Sequence, residues 1–322
     1  MPLLAKPREP NIQLHPSPWT PLRTRFHYWL AGLAVALFIA DITLAHAVQL
    51  HGLTLFLGAW PSLLLIVACI AYCLVRRLQR LSEASVLAFW GIILSNLLSA
   101  LILVAGRSSR GLLDRQFADL DAKLGFSTAS LVHLAAHARW LEITLHFCYP
   151  LLGPLVVLAL LVPPLLGRVG ASRRFILGAS VSALITAACF AMWPAAGPWT
   201  TEDLRPSSAQ ARISGYLEQL KSPGPAYVDL DEKAVVSFPS FHVALAIVTA
   251  TCLASFRRAS VPVWIITGLI CISTLTTGWH YGIDVLGGVV SGIMSIIAAS
   301  RLDIWLSSSQ PAHCPGAGSK AE

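Results

Sequence analysis

Apolar stretches of about twenty residues recur along this chain and constrain its fold more than any other feature. Eight such runs can be marked: Tyr28–Val48, Leu53–Val75, Ala84–Ala105, Ile143–Leu166, Phe175–Trp193, Ser240–Phe256, Val261–Trp279 and Ile283–Leu306. A helix of this length crosses the roughly 30 Å hydrocarbon core of a bilayer. Because backbone polar groups find no water there, each span must satisfy them within its own helix. The sequence therefore predicts an all-α, polytopic membrane helical bundle with about eight transmembrane helices.

The charged residues support this prediction and indicate an orientation. Only 12% of the residues are charged, about half of the ~25% that is typical of soluble domains. If the N-terminus is cytoplasmic, 14 of the 23 Lys and Arg residues fall in cytoplasmic segments, as the positive-inside rule requires. We therefore expect a multi-pass inner or plasma membrane protein in which cytoplasmic tails, 1–27 and 307–322, flank one transmembrane catalytic domain, 28–306. The net charge of +7 is spread over several turns, so no nucleic-acid partner is expected.

Two segments on the other side of the membrane, 106–142 and 194–239, exceed the usual length of a connection. The second half of the first segment is predicted to be one helix lying in the membrane interface. Its apolar face would be formed by Leu131, Leu134, Ala135 and Ala138, and Trp140 would anchor it. The second segment is rich in Pro and Gly and leads into the stretch "SFPSFHVALA".

Titratable side chains stand at the ends of three apolar runs. Ser240 is placed as a helix N-cap, and His242 follows in the first turn, where free N–H groups and the helix dipole favour an anion. In "GWHYGIDVLGG", His280 and Asp284 are four residues apart, so they share a face on a continuing helix. The sixth span begins and the seventh span ends on the same side of the membrane. We therefore expect both histidines and Asp284 to lie at one membrane face.

Two histidines and a carboxylate at one face fit phosphoryl transfer. One imidazole can attack phosphorus while the carboxylate fixes its tautomer, and the other imidazole can protonate the departing oxygen. This arrangement requires no metal and no cofactor.

The segments "FPSFHVA" and "STLTTGWHYGID" resemble the second and third signature motifs of the type 2 phosphatidic acid phosphatase superfamily. Their form is most similar to that of the inositol phosphorylceramide synthase branch, and sphingomyelin synthases use a similar His, His, Asp set. The resemblance implies a six-helix core over about 84–306. It also implies that His280 is the nucleophile that becomes phosphorylated, that Asp284 orients it, and that His242 is the general acid. Ser240 and the N–H groups after it would hold phosphate oxygens.

Two departures from these motifs concern the cations that would bind phosphate. Thr274 stands where the third motif has arginine, and Arg205-Pro206 matches the first motif only in part, because Pro198 replaces its lysine. Since a phosphate needs compensating positive charge, we expect other arginines to approach the site. The candidates are Arg205, the first choice, then Arg212, Arg110 and Arg139.

The predicted function is that of an integral-membrane lipid phosphatase or phosphotransferase that works through a phosphohistidine at the extracytoplasmic face. Water as the second reactant would release phosphate from a phospholipid or a polyprenyl phosphate. An alcohol such as ceramide or inositol would instead accept the phospho-head-group. The alternative is a lipid transporter or scramblase with a degenerate site, a class that usually shows inverted repeats and broken helices near mid-membrane; no repeat is visible in this sequence.

Three further features have simpler interpretations. His133 and His137 have a spacing that can bind zinc, but a third ligand is missing from the sequence around them, so a helix in the interface is preferred. Asp41 inside the first span marks either function or a hydrogen bond to a neighbouring helix. Gly288 and Gly292 indicate close packing of two helices.

Overall fold

The computed structural model describes residues 25–51, 59–108, 111–227 and 237–308, which form an almost wholly helical bundle. The helices are α1 (Arg25–Ala47), α2 (Trp60–Val75), α3 (Gln79–Ser108), α4 (Asp114–Lys123), α5 (Thr128–His137), α6 (Arg139–Cys148), α7 (Leu152–Leu165), α8 (Val169–Met192), α9 (Ser208–Lys221), α10 (Phe241–Leu253), α11 (Arg257–Thr276) and α12 (Gly282–Ser308). Two short strands, β1 (Leu50–His51) and β2 (Ala226–Tyr227), pair in parallel.

The helices confirm the predicted membrane bundle. Within the described residues, six stretches are long and apolar enough to cross a membrane: α1, α3, the α6–α7 pair, α8, α11 and α12. The apolar helices α2 and α10 are shorter and occupy the two remaining predicted spans. The predicted start of the second span, Leu53, lies outside the described residues, as does most of both predicted tails. The protein is therefore a multi-pass membrane protein.

At the centre of the bundle, α8 packs extensively against α3, α10 and α12, and α10 packs against α12. Small residues allow this close approach. A Cβ at Gly178 of α8 would lie 2.9 Å from Val248 of α10 and 3.7 Å from Ala299 of α12, so three helices meet at that glycine. Such dense packing makes this part of the bundle rigid.

Helices α10 and α12 make the closest contact, through the two glycines that the sequence singled out. A Cβ at Gly288 would lie 2.6 Å from the backbone oxygen of Ser240, and one at Gly292 would lie 3.2 Å from the backbone oxygen of Ala244. The prediction of close helix packing is confirmed. As a result, the first turns of α10 and α12 lie side by side at one end of the bundle, here called the site end.

Helices α4, α5 and α9 cover the site end. Arg107, in the last turn of α3, holds part of this cover by donating hydrogen bonds to backbone oxygens of Val48, Leu220 and Ser222 at 3.1, 2.6 and 2.7 Å. Helix α9 was not predicted from the sequence. It begins with a capping box in which Ser207 and Gln210 satisfy each other's backbone N–H groups, a local signal that favours a helix start.

The prediction of one interfacial helix in the first long segment is wrong. The backbone breaks at Ala138, with φ −116° and ψ 87°, so α5 ends at His137 and α6 starts at Arg139 and continues towards α7. Of the predicted apolar face, Leu134 is 64% exposed and Ala135 is buried; contact of this face with lipid stays a prediction. The break lets α5 lie across α11 while α6 turns into the bundle.

Asp41 is fully buried in α1. Neither of its carboxylate oxygens has a hydrogen-bond partner among the described residues. The hydrogen bond to a neighbouring helix that the sequence suggested is thus not found in this part of the chain.

We expect Gly288→Ala to destabilise the protein by about 1–3 kcal/mol, because the new methyl group would collide with the backbone of Ser240, which cannot rotate away. Gly268→Ala in α11 is the control, since a Cβ there meets nothing within 4 Å. Thermal unfolding of both variants in detergent measures the difference. Equal midpoints for the two variants would contradict the close contact of α10 with α12.

Candidate active site

Helix α10 begins as the sequence predicted. The Ser240 hydroxyl accepts a hydrogen bond from the Val243 N–H at 3.3 Å, so Ser240 is the N-cap, and the residue is fully buried. The N–H groups of Phe241 and His242 belong to the first turn, where a helix supplies no internal acceptor. They are therefore suited to bind an anion.

The His242 ring is held by an aromatic neighbour. It stacks on Tyr149 with ring centroids 4.3 Å apart and planes 11° from parallel, and its Nε2 lies 3.1 Å from the Tyr149 backbone oxygen. Because a carbonyl oxygen only accepts hydrogen bonds, Nε2 carries a proton in this arrangement. Tyr149 also stacks on Trp279 at 6.3 Å, which connects His242 to the turn that contains His280.

His280 and Asp284 meet, but not on a continuous helix as the sequence predicted. His280 lies in the turn before α12, which starts at Gly282. Its Nδ1 is 3.5 Å from the Asp284 Oδ2. This separation is at the limit of a hydrogen bond, and Nδ1 has no other hydrogen-bond partner among the described residues. Both side chains are buried, with His280 5% exposed.

The Asp284 carboxylate connects the two motifs. Its Oδ2 accepts hydrogen bonds from the Ser237 hydroxyl at 2.5 Å and from the Tyr281 N–H at 2.8 Å. The backbone oxygen of the same residue accepts the Ser240 N–H at 3.0 Å. Sequence reasoning missed Ser237. It stands at the start of "SFPSFHVALA", but a serine in a loop has no periodic pattern that would identify it.

These contacts bring the predicted catalytic residues to one place. His242, His280 and Asp284 all lie at the site end, where the Ser240 N–H bonds the backbone oxygen of Asp284 and Tyr149 stacks on both His242 and Trp279. The side chains of Tyr149 and Trp279 flank them.

Two buried carboxylates of α4 hold the turn from His280 to Asp284. Asp121 accepts the N–H groups of Gly282 and Ile283 at 2.6 and 2.9 Å, so it caps α12. Asp114 accepts the Tyr281 hydroxyl at 3.2 Å. Burial raises the pKa of both Asp114 and Asp121, an effect that the hydrogen bonds from backbone N–H groups oppose. Sequence reasoning did not connect Asp121 with the site.

The caps of the two helices differ in charge. The start of α12 is covered by the Asp121 carboxylate, whereas α10 is capped by the neutral Ser240 hydroxyl. Since both N-termini carry partial positive charge, the one at α10 is available to a phosphate and the one at α12 is already compensated.

The residues expected to supply positive charge are less closely tied to the site. Arg205 and Arg212 are exposed. Arg110 lies outside that part of the chain. The Thr274 side chain is buried and donates to the Cys271 backbone oxygen of its own helix at 2.7 Å, so it does not replace the missing arginine.

The zinc interpretation of His133 and His137 gains no support from the geometry. The His137 Nδ1 lies 2.7 Å from the His133 backbone oxygen. Across the described ranges, no three His, Cys, Asp or Glu side chains are grouped as metal ligands would be.

A family model described as the PAP2 superfamily matches residues 115–298. The matched range covers more than half of the chain and includes His242, His280 and Asp284. The chain belongs to the PAP2 superfamily. No curated protein and no solved structure matches it. Membership in the PAP2 superfamily indicates a phosphatase-type function on a lipid phosphate, and the match includes nearly all of α4 and the whole of α5, so the cover over the site is part of the family domain.

We expect Asp121→Asn to lower kcat by about 10- to 100-fold, because an amide cannot accept both N–H groups and the His280 turn would shift. The KM for phosphatidic acid should change little, since the carboxylate positions His280 and does not touch substrate. Asp119→Asn on the same helix is the control, because Asp119 is exposed. Initial rates of phosphate release in detergent measure both, and equal rates would show that the cap does not position His280.

Proposed function

We propose that this protein is an integral-membrane enzyme that takes the phosphate from a lipid through a phosphohistidine at His280. The proposal is carried by the two contacts that Asp284 makes. Its carboxylate lies beside the His280 Nδ1, and its backbone oxygen binds the N–H of Ser240, the N-cap of α10. One residue thus fixes the distance between a nucleophile and an anion site.

The chemistry follows from which ring atoms are engaged. With Nδ1 turned towards Asp284, the Nε2 of His280 is the atom that attacks phosphorus, and a P–N bond forms as the bond to the leaving oxygen breaks. His242 enters the step protonated on both ring nitrogens; its Nε2–H stays on the Tyr149 backbone oxygen, and its Nδ1–H is given to the departing oxygen. A second oxygen nucleophile then attacks phosphorus and loses its proton to the His242 Nδ1, and the P–N bond breaks, which restores the His280 imidazole and the doubly protonated His242.

Phosphate binding would begin at the N-terminus of α10 and be completed by arginine. The Gln210 side-chain amide donates to the backbone oxygens of Thr277 and Gly278 at 3.3 and 3.1 Å, so this segment lies beside the turn that precedes His280. Arg205 and Arg212 stand on either side of Gln210. We propose that one or both guanidinium groups turn towards the phosphate when it binds.

The orientation and extent of the domain are part of the proposal. Arg168, Arg173 and Arg258 lie at the starts of α8 and α11, at the end opposite the site, which supports a site end on the extracytoplasmic side and both termini in the cytoplasm. Residues 28–306 would then form one catalytic domain. The titratable groups lie at an end of the bundle and not at its middle, which favours an enzyme over a transporter or scramblase.

We expect His280→Ala and His242→Ala each to lower phosphate release from phosphatidic acid by at least about 100-fold, because each removes a group that reacts with phosphorus or moves a proton. His133→Ala is the control, since this histidine is exposed on α5. Acid-labile radiolabelled phosphate should be trapped on the control protein and not on His280→Ala. Unchanged rates in both site variants would end the proposal.

Transfer to an alcohol, as in the inositol phosphorylceramide synthase-like branch, is a second possible outcome at the same site. The buried His280 and the aromatic rings of Tyr149, Trp279 and Trp199 limit the access of water, which favours a larger acceptor.

We expect mass spectrometry of the products from phosphatidic acid to show a phosphorylated ceramide when ceramide is added and an inositol phosphate when inositol is added. The reason is that an alcohol held beside the phosphohistidine would compete with the small amount of water that reaches it. The same reaction without acceptor is the control. If free phosphate is the only product in both reactions, the enzyme is a phosphatase.

A further inference from the structure

A partly enclosed cavity lies inside the bundle between α3, α7, α8 and α10. Apart from Gly91 and three serines, its walls are aliphatic and aromatic side chains. Of the residues discussed so far as catalytic or phosphate-binding, only Phe241 belongs to it, and the role given to Phe241 was that of its backbone N–H. The cavity is therefore a separate feature that the reaction chemistry does not explain.

One end of the cavity adjoins the candidate active site. Phe241 and Leu245 of α10 form part of its wall. Phe241 stands between Ser240 and His242 in the chain, and His242 is three residues from Leu245, so the two side chains are neighbours on the helix surface. A molecule whose head group contacts His242 can thus extend directly into the cavity.

The length of the cavity matches one half of a bilayer. Its wall on α3 runs from Gly91 to Ile102, a distance of about 16 Å at the helical rise of 1.5 Å per residue. The hydrocarbon core of a bilayer is about 30 Å thick. The cavity therefore has the length of one lipid chain in one leaflet.

We propose that this cavity takes one hydrocarbon chain of the lipid phosphate whose head group reacts at His242 and His280. This inference about the cavity rests on the proposed function, which identifies the head group as a phosphate. An apolar cavity does not hold water, and an empty one forfeits dispersion contacts. Because the surrounding lipid is as apolar as the cavity wall, selection comes from fit along the wall and not from a gain in hydrophobicity.

Two small residues determine the shape of the cavity. Gly91 lies at the end far from the site, where a Cβ would come 3.0 Å from a methyl group of Leu160. Ala179 of α8 is half-buried and forms part of the wall. A large side chain at Ala179 would occupy the space in which the lipid chain lies.

The test compares Ala179→Trp with Ala188→Trp, the same change on the same helix at an exposed residue that is not in the cavity wall. Hydrolysis is measured with dioleoyl and dihexanoyl phosphatidic acid in detergent. We expect Ala179→Trp to lower the ratio of kcat/KM for the long-chain to the short-chain substrate by at least about tenfold, or about 1.4 kcal/mol, because the indole occupies the space of the chain. Ala188→Trp should leave this ratio unchanged. Ser99→Leu, on the α3 wall, is a second cavity variant with the same expected result.

A binding measurement separates this proposal from the proposed function. In a His280→Ala background, native mass spectrometry measures retention of a long-chain lipid phosphonate, which cannot be hydrolysed. Loss of retention in Ala179→Trp but not in Ala188→Trp supports the cavity even if no variant releases phosphate, a result that would reject the reaction alone. If the long-to-short ratio and the retention are both the same in the cavity variants and in Ala188→Trp, the cavity does not take the chain.

Discussion

The contact between α10 and α12 at Gly288 is the constraint on which the rest of the site depends. Because Gly288 has no side chain, the backbone of Ser240 lies against α12 and its N–H reaches the Asp284 oxygen. Asp284 can then accept the Ser237 hydroxyl from the segment before α10 while remaining beside His280. A wider separation of the helices would break each of these contacts together, since they share one carboxylate and one stretch of backbone.

The cover over the site end has a chemical as well as a structural role. Asp121 compensates the partial charge at the start of α12, and Asp114 holds the Tyr281 hydroxyl. An anion arriving at the site would therefore meet one free helix N-terminus, that of α10. Helix α4, which carries both carboxylates, thus determines the position of the His280 turn and also which helix N-terminus remains available to an anion.

The sequence predicted the parts of the molecule that depend on local pattern. Apolar runs located the spans, and the spacing of His280 and Asp284, with a capping serine before His242, located the site. The roles of Ser237 and Asp121 could not be predicted, because their partners lie 47 and 161 residues away in the chain. The break at Ala138 is of the same kind: "TASLVHLAAHARWLEI" continues an amphipathic pattern through that residue, and only the packing of α5 on α11 interrupts it.

The contacts around the site also indicate how the protein would recognise its substrate. On the proposed function, a phosphate would first contact the backbone N–H groups of α10 and the two imidazoles, because Thr274 is bonded to its own helix and Arg205 and Arg212 are exposed. Such a site holds a free phosphate ion weakly, because a phosphate is bound most strongly by charged donors. A lipid phosphate has a chain that can fill the apolar cavity beside His242. On this view the chain supplies the binding that the head group lacks, and free phosphate, which has no chain, would leave readily after the reaction.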